Sequence, residues 1–518
     1  MRFKDFQFNR SNLEKPLLIL VLLAGFVLRF SGISWGLPYL YHSDEFLIVD
    51  VYLRMVQNLD LNPHWFIYPS FMMYVNAFSY GVYFLIRHLL ENFTRLDITF
   101  PYRIIRGVGI IADPNVYLLG RFLSILFGTG VVLLSYLCTK KITGKTSAGL
   151  IAAVFTAISN ANVVQSRLIL PNIYPTFWVI ATLWFSLMIF SKGKPRHYIL
   201  AGLSAGFAIT SKYNGVVAVV MLLSAHLLQS GIKKDKLSFL FLGLASIAAG
   251  FLISMPYAIF DWQTFFTMML KARQDYATGW PGQEGDVIQW YIVYLEKHEG
   301  LVVLAAISGI VFAFLKRNKI ILIPAIFSVI YFAFISSFQI RNEQTILPLI
   351  PILHILGGTA ISLLLVHFQT TLQNPRVRLA FLGLALLAIL IPLMQTIPRA
   401  VSVILPDSRE TSRLWINENI PPGSVIALEA FSPYIDPNIY QVLPTNQWMP
   451  LSIQMYKDLS VDYLVFSEDM FGRYYKNPKL YHRNILVYEE LFKQLEPVKI
   501  FNDGGYEVRI YHMPDQTK

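Results

Sequence analysis

The chain has 518 residues, of which 55% are hydrophobic and only 14% charged, and its mean hydropathy is +0.49. Soluble proteins carry roughly 25% charged residues, so this composition excludes a series of soluble domains and predicts a polytopic membrane protein. The low charge and the 14% of aromatic residues exclude intrinsic disorder. The single cysteine, Cys138, excludes a disulfide scaffold. The net charge of +11 fits the positive-inside rule of membrane proteins, so no nucleic-acid partner is expected.

Apolar runs long enough to cross about 30 Å of hydrocarbon recur along most of the chain. They predict an α-helical membrane protein with about eleven transmembrane helices. The runs are Pro16–Trp35, Val116–Cys138, Ala148–Val164, Ile173–Phe190, Tyr198–Ser211, Tyr213–Leu228, Leu237–Met255, Leu301–Leu315, Ile320–Phe338, Ile346–Val366 and Leu379–Ile397.

The distribution of basic residues predicts the direction of each span. Arg2, Lys4, Arg10 and Lys15 precede the first run, which places the N-terminus in the cytoplasm. A further apolar run, Tyr68–Ile86, is ambiguous. If it lies in the interface or re-enters the membrane without spanning it, every densely basic link falls on the cytoplasmic side. We therefore expect interfacial helices in the first outer loop and an extracytoplasmic C-terminus.

This topology divides the chain into two predicted domains. Residues 1–398 form the transmembrane domain, in which 36–115 and 256–300 are large extracytoplasmic loops, and residues 399–518 form a small extracytoplasmic α/β domain. In this tail, Arg409–Asn419 is a predicted helix with Ser408 as its cap, and Ile485–Leu495 has helical periodicity. The predicted strands are Ser424–Leu428, Tyr463–Ser467, Val498–Phe501 and Tyr506–Tyr511.

Two features at the predicted outer face carry chemistry. Asp44 and Glu45 are adjacent carboxylates beside His42, which is typical of an acid/base or metal pair. The alternative is an ordinary helix cap, in which Ser43 or Asp44 precedes a helix over Glu45–Asn58. Basic side chains also lie at the outer ends of spans, where each alone could snorkel to the interface. Together they predict a shared anionic ligand such as a lipid phosphate or pyrophosphate; they are Arg121, Arg167, Lys212 and Arg341.

A series of short motifs resembles, in order, those of the GT-C superfamily of lipid-carrier-dependent glycosyltransferases, specifically the protein O-mannosyltransferase and aminoarabinose-transferase group. The chain departs from that pattern at Ser43, where the family usually has Pro, and at Asn172, where many members have Asp. Ile67 and Tyr68 also replace the Glu-Lys pair of the aminoarabinose transferases. The motifs are His42–Glu45, Asn62–Ser70, Leu119–Ser124, Ser166–Phe177, Thr210–Tyr213, Arg341–Pro351 and Asp407–Gly423.

The resemblance implies a GT-C-like fold and inverting sugar transfer on the extracytoplasmic face, from a polyprenyl- or dolichyl-phosphate sugar to a protein, lipid or glycan acceptor. Asp44 is then the general base, and Glu45 orients the acceptor or Asp44. Arg121 and Lys212 rank first as ligands of the donor phosphate, followed by Arg167 and Arg341. The substrate loop contains His42, Tyr68 and Asn172.

The same resemblance implies that no cofactor is required. A divalent cation is compatible with the scheme, and its candidate ligands are Asp44 and Glu45. The expected location is a bacterial or archaeal plasma membrane rather than the endoplasmic reticulum, with membrane lipid around the spans. Two alternatives remain. One is a lipid-linked-sugar flippase without chemistry, which the short apolar runs around Lys212 favour if they are broken helices. The other is an inactive scaffold of the same fold, for which Asn172 is the hint.

Overall fold

The structure is a computed structural model that describes residues 10–39, 41–90, 102–105, 108–111, 113–230, 236–371, 375–444 and 450–514. Up to Ser402 the described chain is mainly helical, with one short hairpin, and an α/β unit follows. The largest hydrophobic core lies among the helices and extends from Ile48 to Leu356. Two smaller cores lie in the α/β unit.

Every predicted apolar run coincides with one or two helices, so the positions of the apolar helices are confirmed. The first helices are α1 (Arg10–Phe30), α2 (Ser43–Asn58), α3 (Phe71–Leu90), α4 (Pro114–Thr143), α5 (Thr146–Ile158), α6 (Asn160–Gln165), α7 (Ile173–Lys192), α8 (Pro195–Ser211), α9 (Val219–Ser230) and α10 (Leu237–Ser254). The helices that follow are α11 (Tyr257–Phe260), α12 (Trp262–Thr278), α13 (Val287–Glu299), α14 (Leu301–Leu315), α15 (Lys319–Ile335), α16 (Glu343–Ile346), α17 (Ile350–Thr371) and α18 (Pro375–Ser402).

Four of the described helices, α4, α7, α10 and α17, are long and apolar enough to cross a membrane. A fifth span results if α13 and α14, which meet at a bend of 116°, are counted as one. Several other apolar helices are only 10–17 residues long. Length and composition therefore support a membrane protein with several spans, and the count of about eleven stays a prediction.

Two predicted spans are interrupted in the structure. The run Ala148–Val164 is divided at Ser159, whose extended backbone separates α5 from α6. The run Tyr213–Leu228 begins as a 3₁₀ helix over Tyr213–Ala218 before α9. A further break lies at Gly300, between α13 and the predicted span Leu301–Leu315, where φ is +51°, a left-handed conformation that glycine adopts at little cost.

The segment predicted as the first outer loop contains α2 and α3. Helix α2 ends at Asn58 as predicted, but its N-cap is His42 rather than Ser43 or Asp44, because the His42 ring accepts a hydrogen bond from the Asp44 amide at 3.3 Å. Helix α3 covers most of the ambiguous Tyr68–Ile86 run. One of its faces packs into the protein and the other exposes apolar side chains such as Phe78 and Leu85. Strands β1 (Tyr102–Ile105) and β2 (Val108–Ile111) follow as an antiparallel hairpin.

The tail forms a five-stranded sheet with helices packed on it. The sheet order is β4-β3-β5-β7-β6, with β3 parallel to β4 and β5, and β7 antiparallel to β5 and β6. The predicted helices and strands of the tail are confirmed, and β4 and the two short helices are additions. The elements are α19 (Ser408–Asn419), β3 (Val425–Leu428), β4 (Gln441–Pro444), α20 (Ile453–Asp458), β5 (Tyr463–Ser467), α21 (Glu468–Tyr475), α22 (His482–Gln494), β6 (Pro497–Phe501) and β7 (Val508–His512).

The start of α19 attaches the tail to the first outer loop. Its N-cap is Asp407 rather than the predicted Ser408, and the Asp407 carboxylate also pairs with the Arg409 side chain at 2.8 Å. Arg409 donates to the Tyr41 carbonyl at 2.8 Å and lies 4.5 Å from the Tyr41 ring centroid. The Tyr41 hydroxyl donates to Glu410 at 2.9 Å. The tail is thereby held beside the first turn of α2.

A buried ion pair fixes the first turn of α2 against the helical core. Arg121 of α4 donates from Nε and Nη2 to the two carboxylate oxygens of Glu45, at 3.0 and 2.7 Å. Glu45 also accepts from the Ile169 amide at 2.8 Å, and Arg121 Nη1 donates to the carbonyls of Ile33 and Trp35, each at 2.8 Å. Both side chains are at most 4% exposed. The pair thus joins α2, α4, the segment after α1 and the segment before α7.

Breaking this pair should destabilise the protein far more than breaking an exposed one. In a Glu45→Gln variant the buried guanidinium faces a neutral amide, so we expect the free energy of unfolding to fall by about 3–5 kcal/mol. Thermal unfolding of the detergent-solubilised protein measures this loss. The control is Arg54→Gln, which breaks an ion pair with Asp50 whose arginine side chain is 65% exposed, and should cost less than about 1 kcal/mol. Equal losses in both variants would contradict the structural importance of the Glu45–Arg121 pair.

Candidate active site

The two adjacent carboxylates at the start of α2 have different environments. Successive residues of a helix point about 100° apart, so Glu45 turns inward to Arg121 while Asp44 lies in the first turn on a different side of the helix. Burial alone would raise the pKa of Glu45, but the Arg121 charge and hydrogen bonds outweigh it and hold that pKa below its usual value. Glu45 is therefore an ionised structural anion, and Asp44 takes no part in this ion pair.

Tyr68 lies close to Asp44. Burial, together with the negative charge of nearby Asp44, raises the pKa of the Tyr68 hydroxyl well above its ordinary value. The phenol therefore stays protonated, and its ring stacks edge-on against Trp65 with centroids 5.6 Å apart. Tyr68 also lines a cavity.

This cavity, called here the Lys212 cavity, has a volume of about 730 Å³. Its walls are mostly apolar and aromatic, and they include two cations, Lys212 and Arg273. An apolar chamber with a few charged groups suits a ligand that has an anionic head and a hydrocarbon tail. The remaining lining residues are Ile67, Tyr68, Pro69, Tyr213, Asn214, Met269, Ala272, Tyr276, Phe334 and Phe338.

Lys212 lies at the break between α8 and the 3₁₀ helix. Its backbone is extended, with φ −158° and ψ 136°, and its amide closes α8 by bonding to the Ala208 carbonyl. The residue is only 4% exposed, and its ammonium donates to Asn172 Oδ1 at 2.9 Å. That is the one hydrogen bond of the Lys212 side chain within the described part of the chain. The ammonium therefore keeps donors for a ligand in the cavity.

Arg273 was missed in the sequence analysis. It is exposed on α12, and it makes no hydrogen bond or ion pair with any described residue. The signal that could have found it was the one applied to the other cations, because Arg273 is a basic residue in a predicted outer loop, against the positive-inside tendency.

The structure separates the four predicted cations instead of gathering them around one anion. Besides Arg121, which binds Glu45, Arg167 donates to the carbonyls of Leu28 and Arg399, at 2.6 and 3.3 Å. Arg341 donates to the carbonyls of Glu284 and Asp286. Of the four, Lys212 alone is among the described residues that line the cavity. The physical reason is that each arginine, with its five donors, is held by protein acceptors.

A second cavity, called here the α2 groove, runs along α2 from one turn beyond Asp44. Its volume is about 1,020 Å³, and Trp65 forms part of its wall. Trp65 contacts Tyr68, so the two cavities lie on either side of this aromatic pair. The wall of the groove combines charged and amide side chains with apolar ones; its other lining residues are Leu47, Asp50, Val51, Arg54, Met55, Asn58, Asp60, Asn62, Pro63 and His64.

The described residues contain no group of three or more His, Cys, Asp and Glu side chains that could hold a metal ion. Of the predicted metal ligands, Glu45 has its carboxylate oxygens engaged by Arg121 and the Ile169 amide. A role for a divalent cation therefore stays a prediction from the resemblance alone.

Part of the chain matches a known protein family. Residues 91–269, about a third of the chain, match the family model of dolichyl-phosphate-mannose-protein mannosyltransferase. A search of curated proteins finds no significant match.

Two solved structures cover nearly all of the chain. The oligosaccharyltransferase AglB from Archaeoglobus fulgidus, in complex with an inhibitory peptide and a dolichol-phosphate, matches with a TM-score of 0.55 and 14% identity over 98% of this chain and 75% of that chain. ArnT from Cupriavidus metallidurans, bound to undecaprenyl phosphate, matches with a TM-score of 0.51 and 14% identity over 95% and 97%. The chain therefore has the GT-C fold, as its motifs predicted, and residues 91–269 match the mannosyltransferase family within that fold.

Proposed function

We propose that the protein is an integral-membrane glycosyltransferase that moves a sugar from a polyprenyl or dolichyl phosphate to an acceptor hydroxyl on the extracytoplasmic face. The observation that carries the proposal is the Lys212 cavity, in which a buried lysine and Arg273 face an apolar chamber next to Asp44 and Tyr68. The GT-C fold and the family match support it. So do the lipid phosphates named with the two solved relatives.

The donor would lie with its phosphate between Lys212 and Arg273 and with its lipid along Met269, Phe334 and Phe338. This position of the phosphate changes the order in which the cations rank as its ligands. Lys212 is kept, Arg273 is added, and Arg121, Arg167 and Arg341 become residues that hold the backbone and Glu45.

In the reaction, Asp44 would take the proton of the acceptor hydroxyl as its oxygen attacks the anomeric carbon. The bond from that carbon to the phosphate oxygen breaks on the opposite side, so the configuration inverts. The electron pair leaves with the lipid phosphate, whose growing negative charge Lys212 and Arg273 stabilise. Glu45 would act indirectly, because its bond to Arg121 sets the position of Asp44.

We place the acceptor in the α2 groove. A ligand lying along α2 from Asn58 to Leu47 covers about 17 Å at 1.5 Å per residue and ends one turn from Asp44. The polar groups of the wall and Trp65 suit a hydroxyl-rich acceptor, which can hydrogen-bond to carboxylates and stack on an aromatic ring. His42 caps α2 at the end of this path.

The number of spans and their direction across the membrane are part of the same proposal. With about eleven spans, a cytoplasmic N-terminus and an interfacial α3, both cavities and the C-terminal α/β unit face the outside. The plasma membrane of a bacterium or archaeon would be the location.

A flippase without chemistry is the second candidate. The observation that favours it is the broken helix at Lys212, between α8 and the 3₁₀ helix, since transporters use such breaks at their substrate sites. It would need Lys212 but not Asp44, so one variant separates the two functions.

Replacing Asp44 by Asn should lower sugar release by at least about 100-fold, because the general base is lost while shape is kept. The assay follows radiolabelled undecaprenyl-phosphate sugars in detergent and scores sugar moved to water or to added acceptor extracts. The control, Glu418→Gln, removes an exposed carboxylate of α19 and should leave the rate unchanged. Full activity in Asp44→Asn would refute the assignment, and transport into liposomes without sugar release would favour the flippase.

Arg273→Met should weaken binding of undecaprenyl phosphate by about tenfold, since one charge-assisted hydrogen bond contributes about 1.5 kcal/mol. Lys271→Met is the matched control, because Lys271 is an exposed cation on the same helix that does not line the cavity among the described residues. Binding is measured by titration of the detergent-solubilised protein with the lipid. Equal affinities in the two variants would remove Arg273 from the site.

Filling the α2 groove should block the acceptor but not the donor. We expect Asn58→Trp to reduce transfer to acceptor extracts by at least about tenfold, while slow transfer to water stays at the wild-type rate. Glu418→Trp places the same bulk on an exposed surface elsewhere and should change neither rate. Unimpaired acceptor transfer in Asn58→Trp would place the acceptor outside the groove.

A further inference from the structure

A continuous chain of hydrogen bonds leads away from Lys212 into the protein. Lys212 Nζ donates to Asn172 Oδ1 at 2.9 Å, Asn172 Nδ2 donates to Gln165 Oε1 at 2.8 Å, and Gln165 Nε2 donates to Glu343 Oε1 at 2.6 Å. We call these residues the amide relay. Lys212, Asn172 and Gln165 are at most 4% exposed, and Glu343 is half-buried.

The two ends of the relay determine its sense. An ammonium can only donate hydrogen bonds, and a carboxylate can only accept them. Each carboxamide between them must therefore turn its oxygen toward Lys212 and its nitrogen toward Glu343. A reversed Asn172 would set its NH₂ group against the ammonium, and a reversed Gln165 would set its oxygen against the carboxylate.

The relay has a consequence for the charge at the cavity. Lys212 is held by a neutral oxygen, and the nearest carboxylate along the relay, that of Glu343, is separated from it by two amides. The ammonium is thus fixed in position without a carboxylate in contact along the relay, and its charge remains available to an anion in the cavity. An aspartate at position 172 would have the same shape but would pair with the lysine directly.

We propose that Gln165 and Glu343 are positioning residues that act through Asn172 to keep Lys212 oriented, and unpaired with a carboxylate, for the phosphate of the lipid donor. This inference rests on the proposed function. It also assigns a role to Asn172, one of the positions at which the chain departs from the pattern it resembles: the amide makes the site one charge more positive than an aspartate would.

The deciding variant is Asn172→Asp, titrated with undecaprenyl phosphate and dolichyl phosphate beside wild type. We expect at least about tenfold weaker binding, because the new carboxylate pairs with Lys212 in competition with the phosphate. The unfolding temperature is measured beside the affinity, because the introduced carboxylate still accepts from Lys212 but no longer donates to Gln165 Oε1. If the relay were merely a structural link, Asn172→Asp would bind the lipid phosphates as wild type does, and that result would overturn the proposal.

Two further variants keep the test decisive. The double variant Asn172→Asp, Glu343→Gln has the same total charge as the wild-type relay, but its carboxylate lies next to Lys212. Binding should therefore remain at least about tenfold weaker than wild type. Recovery of wild-type affinity would show that the position of the carboxylate does not affect binding, and would overturn the proposal. Gln165→Met removes the partner that orients Asn172 at similar side-chain volume, and should weaken binding by roughly threefold. If Asn172→Asp does not fold, unchanged affinity in Gln165→Met overturns the proposal.

Failure of the proposed function gives a different result. If wild-type protein binds neither lipid phosphate, the donor assignment itself is wrong. If wild type binds and all three relay variants match it, the donor site stands and the relay has no part in phosphate binding.

Discussion

The bidentate contact between Arg121 and Glu45 is the interaction on which the arrangement of the site depends. Both groups are almost completely buried, so each would be very costly without the other. The pair fixes the rotation of α2 about its axis, since Glu45 can face Arg121 in one orientation only. Asp44, the neighbouring residue, lies close enough to Tyr68 to act on the pKa of its hydroxyl. The Glu45 carboxylate thereby determines where the proposed general base, Asp44, lies.

Two other buried arginines, Arg29 and Arg167, donate hydrogen bonds to backbone carbonyls. Arg29 donates to the carbonyls of Thr156 and Ala157 in the last turn of α5, and Arg167 donates to that of Leu28 near the end of α1. The last carbonyls of a helix have no partner within it, and at a buried helix end a cation satisfies them both by hydrogen bonding and through the helix dipole. A protein built from short, interrupted helices has many such ends. Buried arginines at one membrane face therefore need not indicate a ligand.

The sequence predicted a large part of this molecule, and the limits of prediction have physical causes. Apolar runs and strand-forming runs are local signals, so the apolar helices and four of the seven described strands were found within a few residues, whereas β1, β2 and β4 were not predicted. The break at Ser159 was missed because apolar residues resume after Ser159, Asn160 and Asn162, so the run continues on hydropathy alone. The partners of Arg121 and Arg167 were missed because they lie more than seventy positions away in the chain. Arg273 was missed although it is a basic residue in a predicted outer loop, which was a usable signal.

The type of each cation agrees with its role. A guanidinium has five donors in a rigid plane, so a buried arginine finds several protein acceptors or is destabilising. Arg121 has a carboxylate and two carbonyls, and Arg167 has two carbonyls and a hydroxyl. An ammonium is compact and needs fewer partners, so Lys212 is held by one amide oxygen and still presents charge to the cavity. At a buried anion site of this kind, the cation with the fewest protein acceptors is the one best placed to bind the ligand. Among the four cations predicted from the sequence, that criterion selects Lys212 over Arg121, Arg167 and Arg341, which sequence position alone could not separate.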